Sequence, residues 1–119
     1  MPDSVYSFTL PLPPSVNRMY RRGRNGVHLS ADARAWKHAA HIAALQVFPE
    51  PLTGEIVVVW DFYMADGRSD ASNRIKALED ALQGAAYFND RQIVSGTYNK
   101  LRDKDNPRVE ATIWRRKRT

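Results

Sequence analysis

Five side chains able to handle a phosphodiester fall close together in the sequence: Asp70, Asn73, Lys76 and Asp80, then Asp90. Hard divalent cations take oxygen ligands and keep several waters, so one or two carboxylates plus a phosphate oxygen can hold Mg²⁺. Such an ion polarises the phosphate and activates water, while an ammonium steadies the charge that develops on it. Two carboxylates converging with Lys76 would therefore suit phosphodiester hydrolysis. Asp70 also has a plainer local explanation as a helix N-cap, a role open to Ser72 or Asn73 as well. Asn73, Lys76 and Asp80 follow i, i+3, i+7 and share the face opposite Ile75, Leu78 and Leu82. Lys76 and Asp80 can equally form a surface ion pair in the less favourable order, stabilising the helix by ~0.2–0.5 kcal/mol. Asp90 folds back beside Asp70 only if the connection after the helix crosses the same end of the sheet.

The elements that must position these residues are legible in outline. Tyr6, Phe8 and Leu10 alternate with Ser7 and Thr9, a half-buried strand that Pro11, Pro13 and Pro14 end. An arginine-rich loop with a short hairpin follows, turning at Asn25-Gly26. Ser30 caps a helix over residues 31–47, whose expected inward face is Ala35, Ala39, Ile42 and Leu45 or Gln46. Residues 55–63 read as the central strand and 70–83 as a second helix that Gly84 ends. Residues 93–102 and 108–114 read as two more strands, expected to form a hairpin across the turn-rich 103–107. The order strand, helix, strand, helix and two strands predicts one α/β (α+β) domain over residues 1–119. Its mixed sheet carries two main helices, and residues 115–119 form a flexible basic tail.

Composition narrows the function. The chain has 119 residues, no cysteine and a net charge of +5. That excludes disulfides, a thiolate zinc site and a cysteine nucleophile, and it fits a cytoplasmic protein. Charge runs +3 over residues 1–53, −3 over 54–99 and +5 over 100–119. An acidic middle between basic ends suits a carboxylate site flanked by phosphate-binding surfaces. No apolar run approaches a membrane span, and no Walker-type glycine loop points to a nucleotide cofactor. His38 and His41 stand three apart without a third ligand and read as helix-surface or core-edge residues, with His28 at most a phosphate contact.

The chain resembles the RusA-type Holliday-junction resolvases. The resemblance rests on Leu12-Pro13-Pro14-Ser15-Val16-Asn17-Arg18, Asp70-Ala71-Ser72-Asn73, Lys76, Asp80-Ala81-Leu82 and Asn89-Asp90-Arg91-Gln92-Ile93-Val94, in order over residues 6 to about 100. It implies a homodimeric endonuclease, frequent in phages and prophages, that needs Mg²⁺ (with Mn²⁺ as a substitute) and resolves four-way DNA junctions by paired incisions in recombination and repair. It puts metal ligands at Asp70 and Asp90 and the essential lysine at Lys76, with Asn73 and Asp80 in support. Phosphate contacts are expected from Asn17, Arg18, Tyr20, Arg21, Arg22, Arg24, Arg68 and Arg74. Where the best-known pattern reads Asp-x-Asp-Asn, this chain has Ser72, which removes one charged ligand. A hydroxyl can still hold Mg²⁺ weakly or hydrogen-bond a coordinated water. The alternative is a catalytically weak or inactive junction-binding module. A third reading, a single-stranded nucleic-acid binder, would use Tyr20, Tyr98 and Trp114 as stacking platforms, although such aromatics usually serve packing.

Overall fold

The alternation near the start becomes β1 (Val5–Leu10), which turns Tyr6, Phe8 and Leu10 toward the helices and Val5, Ser7 and Thr9 to solvent. The computed structural model describes residues 4–24, 26–66 and 71–117. A single turn, α1 (Val16–Met19), leads into a hairpin of β2 (Tyr20–Gly23) and β3 (Gly26–Leu29). Gly26 has φ 102°, a value that favours glycine at this turn. Ser30 then closes the hairpin and opens the next helix. Its N–H and Oγ donate to the carbonyls of Met19 and Arg18, and the same Oγ caps the Ala33 N–H at 3.1 Å.

That helix, α2 (Ala31–Leu45), buries Ala33, Trp36, Ala40 and Ala44. The expected inward face is displaced by about one residue, near 100° of rotation. Ala35 and Ala39 are exposed, as are Ile42 (40%) and Leu45 (51%). Trp36 sets the rotation: its bulk fills the core edge, and its indole N–H donates to the Pro11 carbonyl at 2.7 Å. Ala40 and Ala44 then let the helix approach the core closely, where a run of larger side chains would hold it off.

β4 (Ile56–Met64) is an inner strand, as its continuous apolar run predicts. Ile56, Val58, Trp60, Phe62 and Met64 are buried beneath the helices, while Val57, Val59, Asp61 and Tyr63 are half-buried on the other face. The helix that follows, α3 (Ser72–Ala81), buries Leu78 and Ala81, with Leu82 just beyond and Ile75 packed at the core margin. Gly84, at φ 86°, turns the chain after it. A 3-10 turn over Asp90–Gln92 leads into β5 (Ile93–Arg102), which runs parallel to β4. A parallel pair requires such a crossover.

The expected hairpin between the last two strands is not formed. β6 (Arg108–Arg115) pairs antiparallel with β4 and with β1, so the sheet order is β1-β6-β4-β5. β4 therefore lies between β5 and β6. Residues 103–107 cross the end of β4, where the Asp103 N–H donates to the Met64 carbonyl at 3.0 Å. Local turn chemistry marked the reversal but could not show which strand would fill the gap. The expected flexible tail also starts too early. Arg115 belongs to β6, and its guanidinium holds Thr53 through the carbonyl at 2.9 Å and the hydroxyl at 3.1 Å.

Arg108 fastens that crossing. It donates to Asp103 and Glu110, each at 2.8 Å, and lies 3.9 Å from the centre of the Tyr63 ring. Its hydrogen bond holds the Asp103 carboxyl below its ordinary value of 3.8, with help from backbone N–H groups. A lowered folded pKa means the stabilisation is complete above the unfolded value and is lost as pH falls through the folded one. Asp103→Asn is expected to be less stable than the parent at pH 7. Denaturant unfolding from pH 7 to pH 3 should show the difference closing only below about pH 4.

Candidate active site

α3 begins where β4 ends, and its N-cap is Ala71, with no side-chain cap hydrogen bond. Asp70 and Arg68 lie outside the described residues, so the expectations for them, capping included, are carried by the sequence. Ser72 and Asn73 are exposed in the first turn. Two turns of α3 further on, Asp80 reaches a shallow pocket that Lys76 also lines, together with Tyr20 and Leu29 of the hairpin and Lys37 of α2. The face predicted for Lys76 and Asp80 is thus open, and the arginine-rich hairpin stands beside it. A neighbouring hollow past Asp80 is lined by Arg34, Lys37, His38 and His41. His41 is half-buried with Nδ1 2.8 Å from the Ala81 carbonyl, which makes it a core-edge residue.

Asp90 stands at the other end of α3 from Ser72. In the parallel register Ile93 pairs with Ile56 and Arg102 with Met64, so Asp90 sits where β4 begins and Ser72 where β4 ends. Between Ser72 and Ala81 the helix rises on the order of 14 Å. Asp90 instead joins the last turns of α3. Its N–H donates to Gln83 Oε1 at 3.2 Å, and its charge acts on Glu79. Burial holds the Glu79 carboxyl above its ordinary range, the Asp90 and then the Asp80 carboxylates add to this, and Lys76 opposes it. The Tyr87 hydroxyl donates to the Glu79 carbonyl at 2.7 Å, and burial pushes that phenol far up. Lys76 and Asp80 thus line one pocket, the Asp90 and Asp80 charges act on Glu79, and Asp90 is separated from Ser72.

Sequence reasoning missed Glu79. Its only signal was position, three residues after Lys76 and next to Asp80, which does not distinguish it from any exposed helix glutamate. It also missed Gln92, whose side chain fixes the Asp90 turn. Oε1 accepts from the N–H groups of Phe88 and Asn89, at 2.8 and 2.9 Å, and Nε2 donates to the carbonyls of Leu52 and Gly54, at 2.8 and 2.9 Å. Gln92→Ala removes all four bonds. The variant is expected to lose about 1–3 kcal/mol of stability in denaturant melts. Any catalysis that needs Asp90 should fall at least about tenfold in the same protein at a temperature where it stays folded.

The expected phosphate contacts divide. Arg21, Arg22 and Arg24 are exposed on the hairpin, beside exposed Tyr20. Arg18 is exposed too, with Asp32 at 3.5 Å. Asn17 lies in α1, its side chain outside the described part of the structure. Arg74 is not available to a phosphate backbone. It is only 7% exposed, and its Nε donates to the Pro13 carbonyl at 3.0 Å, tying α3 to the proline segment. Its place among the expected phosphate contacts could not show that this edge of the helix meets residues some sixty positions earlier.

Among the described residues no three His, Asp or Glu side chains close into a metal cage, and no helix is long and apolar enough to cross a membrane. Comparison with known proteins supplies what geometry alone does not. The family profile described as Endodeoxyribonuclease RusA matches residues 11–114. The chain is 34% identical over 113 residues to the crossover junction endodeoxyribonuclease RusA of Escherichia coli (strain K12), covering 92% of this chain and 94% of that protein. The crossover junction endodeoxyribonuclease of Enterobacteria phage 82 matches with the same identity and coverage, as does that of Shigella sonnei (strain Ss046). A profile match that begins at the proline segment and ends within β6 takes in the hairpin, both main helices and the Asp90 turn, and the chain belongs to the RusA family of crossover junction endodeoxyribonucleases.

Proposed function

We propose that this chain is a homodimeric, Mg²⁺-dependent endonuclease that resolves four-way DNA junctions by paired phosphodiester hydrolysis in recombination and repair, with Mn²⁺ as a substitute metal and the cytoplasm as its place of action. The observation that carries the reading is the open Lys76–Asp80 face beside the arginine hairpin, with Glu79 and Asp90 gathered at the same end of α3. The donor set fits a hard cation. It is all oxygen, and the Asp90 and Asp80 charges that add to the effect of burial on Glu79 are ones a divalent ion would offset. On the sequence assignment Asp70 and Asp90 would hold the ion, with Ser72 as a weak neutral contact, and since one chain keeps Asp90 at the opposite end of α3 from Ser72, the two carboxylates would come from different copies in the homodimer.

When bound, the metal supplies Lewis-acid polarisation of the phosphate and a water of lowered pKa. The chain's own residues do the rest. Lys76 Nζ steadies charge on the scissile phosphate, and Asp80, one turn away, orients that ammonium. Asn73 supports the ligand turn from the start of α3. Arg18, Arg21, Arg22 and Arg24, with Asn17, Tyr20 and Arg68, hold the flanking phosphates and fix the register of the DNA. Two incisions in strands of like polarity call for two sites related by a two-fold axis.

The test is cleavage of a synthetic four-way junction with Mg²⁺, Mn²⁺ or EDTA, in competition with linear duplex at a fixed salt concentration. Paired nicks that need metal and survive duplex competition are expected. Metal-independent cutting, or duplex competing as well as junction, overturns the reading. The binding-only alternative is favoured by Ser72, an exposed neutral residue where a charged ligand was expected. It gains if the natural chain does not cut under saturating metal and Ser72→Asp does.

A further inference from the structure

Arg34, Lys37, His38 and His41 fall at i, i+3, i+4 and i+7, and so share one stripe of α2. Arg34, Lys37 and His38 are exposed and His41 is half-buried. All four line the hollow whose other wall is Asp80, Ala81 and Gln83, which makes it a groove between α2 and the end of α3. Lys37 and Asp80 also line the pocket that holds Lys76 and Tyr20. The groove therefore adjoins the candidate active site and continues toward the later residues of both helices. Two contacts fix its walls. Arg34 Nη1 donates to the Leu29 carbonyl at 2.8 Å, which ties the guanidinium to the base of the hairpin and uses one of its five donors. His41 Nδ1 donates to the Ala81 carbonyl at 2.8 Å, joining the two helices, with Nε2 as the remaining polar atom of the ring. Among the lining residues Asp80 is the one acid.

We infer that this groove holds successive phosphates of one DNA strand beyond the Lys76 pocket, so that α2 grips the backbone as well as the arginine hairpin. From Arg34 to His41 the helix rises about 10 Å, the axial span of about three phosphates in one strand. A stripe of that length engages a continuous backbone, whereas an isolated phosphate would use one end of it. The contacts are to phosphate and carry no base information, so they set the path and register of the strand rather than its sequence. The inference rests on the DNA-binding part of the proposed function, and on neither the metal nor the cut.

The test is made on a synthetic four-way junction in EDTA, where only binding is read, so the groove and the cleavage reading can fail separately. Arg34→Gln with Lys37→Gln keeps helix propensity and removes two positive charges. In gel-shift titrations across a salt series its affinity should fall about tenfold or more near 0.1 M salt, and the salt slope by about two. Arg34→Lys with Lys37→Arg keeps the charges and should keep the parent slope. The chain has no cysteine, so a photoactivatable azide on His38→Cys reports from that position alone. It should cross-link to a strand of the bound junction. The same group on Ser7→Cys, on the face of β1 turned away from the helices, should not. An unchanged slope in the glutamine variant, an equal loss in the charge-conserving one, or labelling from His38→Cys no stronger than from Ser7→Cys overturns the groove. A chain that binds through the groove and does not cut in Mg²⁺ supports it and overturns only the cleavage reading.

Discussion

Lys76→Met and Asp70→Asn are each expected to leave a four-way junction bound and uncut, with the cleavage rate in Mg²⁺ down by on the order of a thousandfold. Lys76 is exposed on α3, and methionine matches lysine closely in helix propensity, so the fold should be untouched. What disappears is the ammonium of a side chain that lines the pocket with Tyr20 and Asp80. Losing one transition-state donor costs ~2.7–4 kcal/mol of barrier, whereas losing one phosphate contact lowers the salt slope of binding by only about one. Asp70→Asn keeps the size and polarity of the side chain and removes only its charge, which a metal ligand cannot spare. Single-turnover cleavage paired with gel-shift titration separates the two quantities. Either variant cutting at a tenth of the parent rate or faster removes that residue from the catalytic set.

Arg74→Ala should act on stability and leave the DNA affinity of the folded protein unchanged. A guanidinium meant for phosphate must reach solvent, and this one is buried, with its Nε on the carbonyl of Pro13, itself fully buried. Its Nη1 also lies 4.0 Å from Met64 Sδ at the end of β4. Removing it strands a buried carbonyl and opens a cavity where α3, the proline segment and β4 meet. The expected loss is about 2–4 kcal/mol, or roughly a 10 °C fall in melting temperature for a chain of this length. Arg74→Lys should not restore it, because the compact ammonium lacks the planar Nε–H that points along the chain to Pro13. A gel-shift constant that weakens severalfold with an unchanged melting temperature would return Arg74 to the DNA-binding surface.

Much of the local structure was readable from the residues. β1 follows its alternation, Ser30 caps α2, Gly84 turns the chain after α3, and Leu78 and Leu82 face inward. Each depends on neighbours within about four positions, where side-chain period and backbone preference act directly. The misread elements depend on distant partners. Trp36 rotates α2 because Pro11 accepts its N–H from another part of the chain, and Arg74 turns inward because Pro13 is there to meet it.

The candidate site divides in the same way. Lys76 and Asp80 share an open face because helical spacing puts them there, and their types alone point to phosphate chemistry. The family blocks around Asp70 and Asp90 were likewise present in the sequence. Only the tertiary structure decided that β4 separates β5 from β6, and that the parallel β4–β5 register carries Asp90 to Glu79 and away from Ser72. Strand order and direction are set by which apolar faces bury together across many residues, a free energy that no short window of sequence contains.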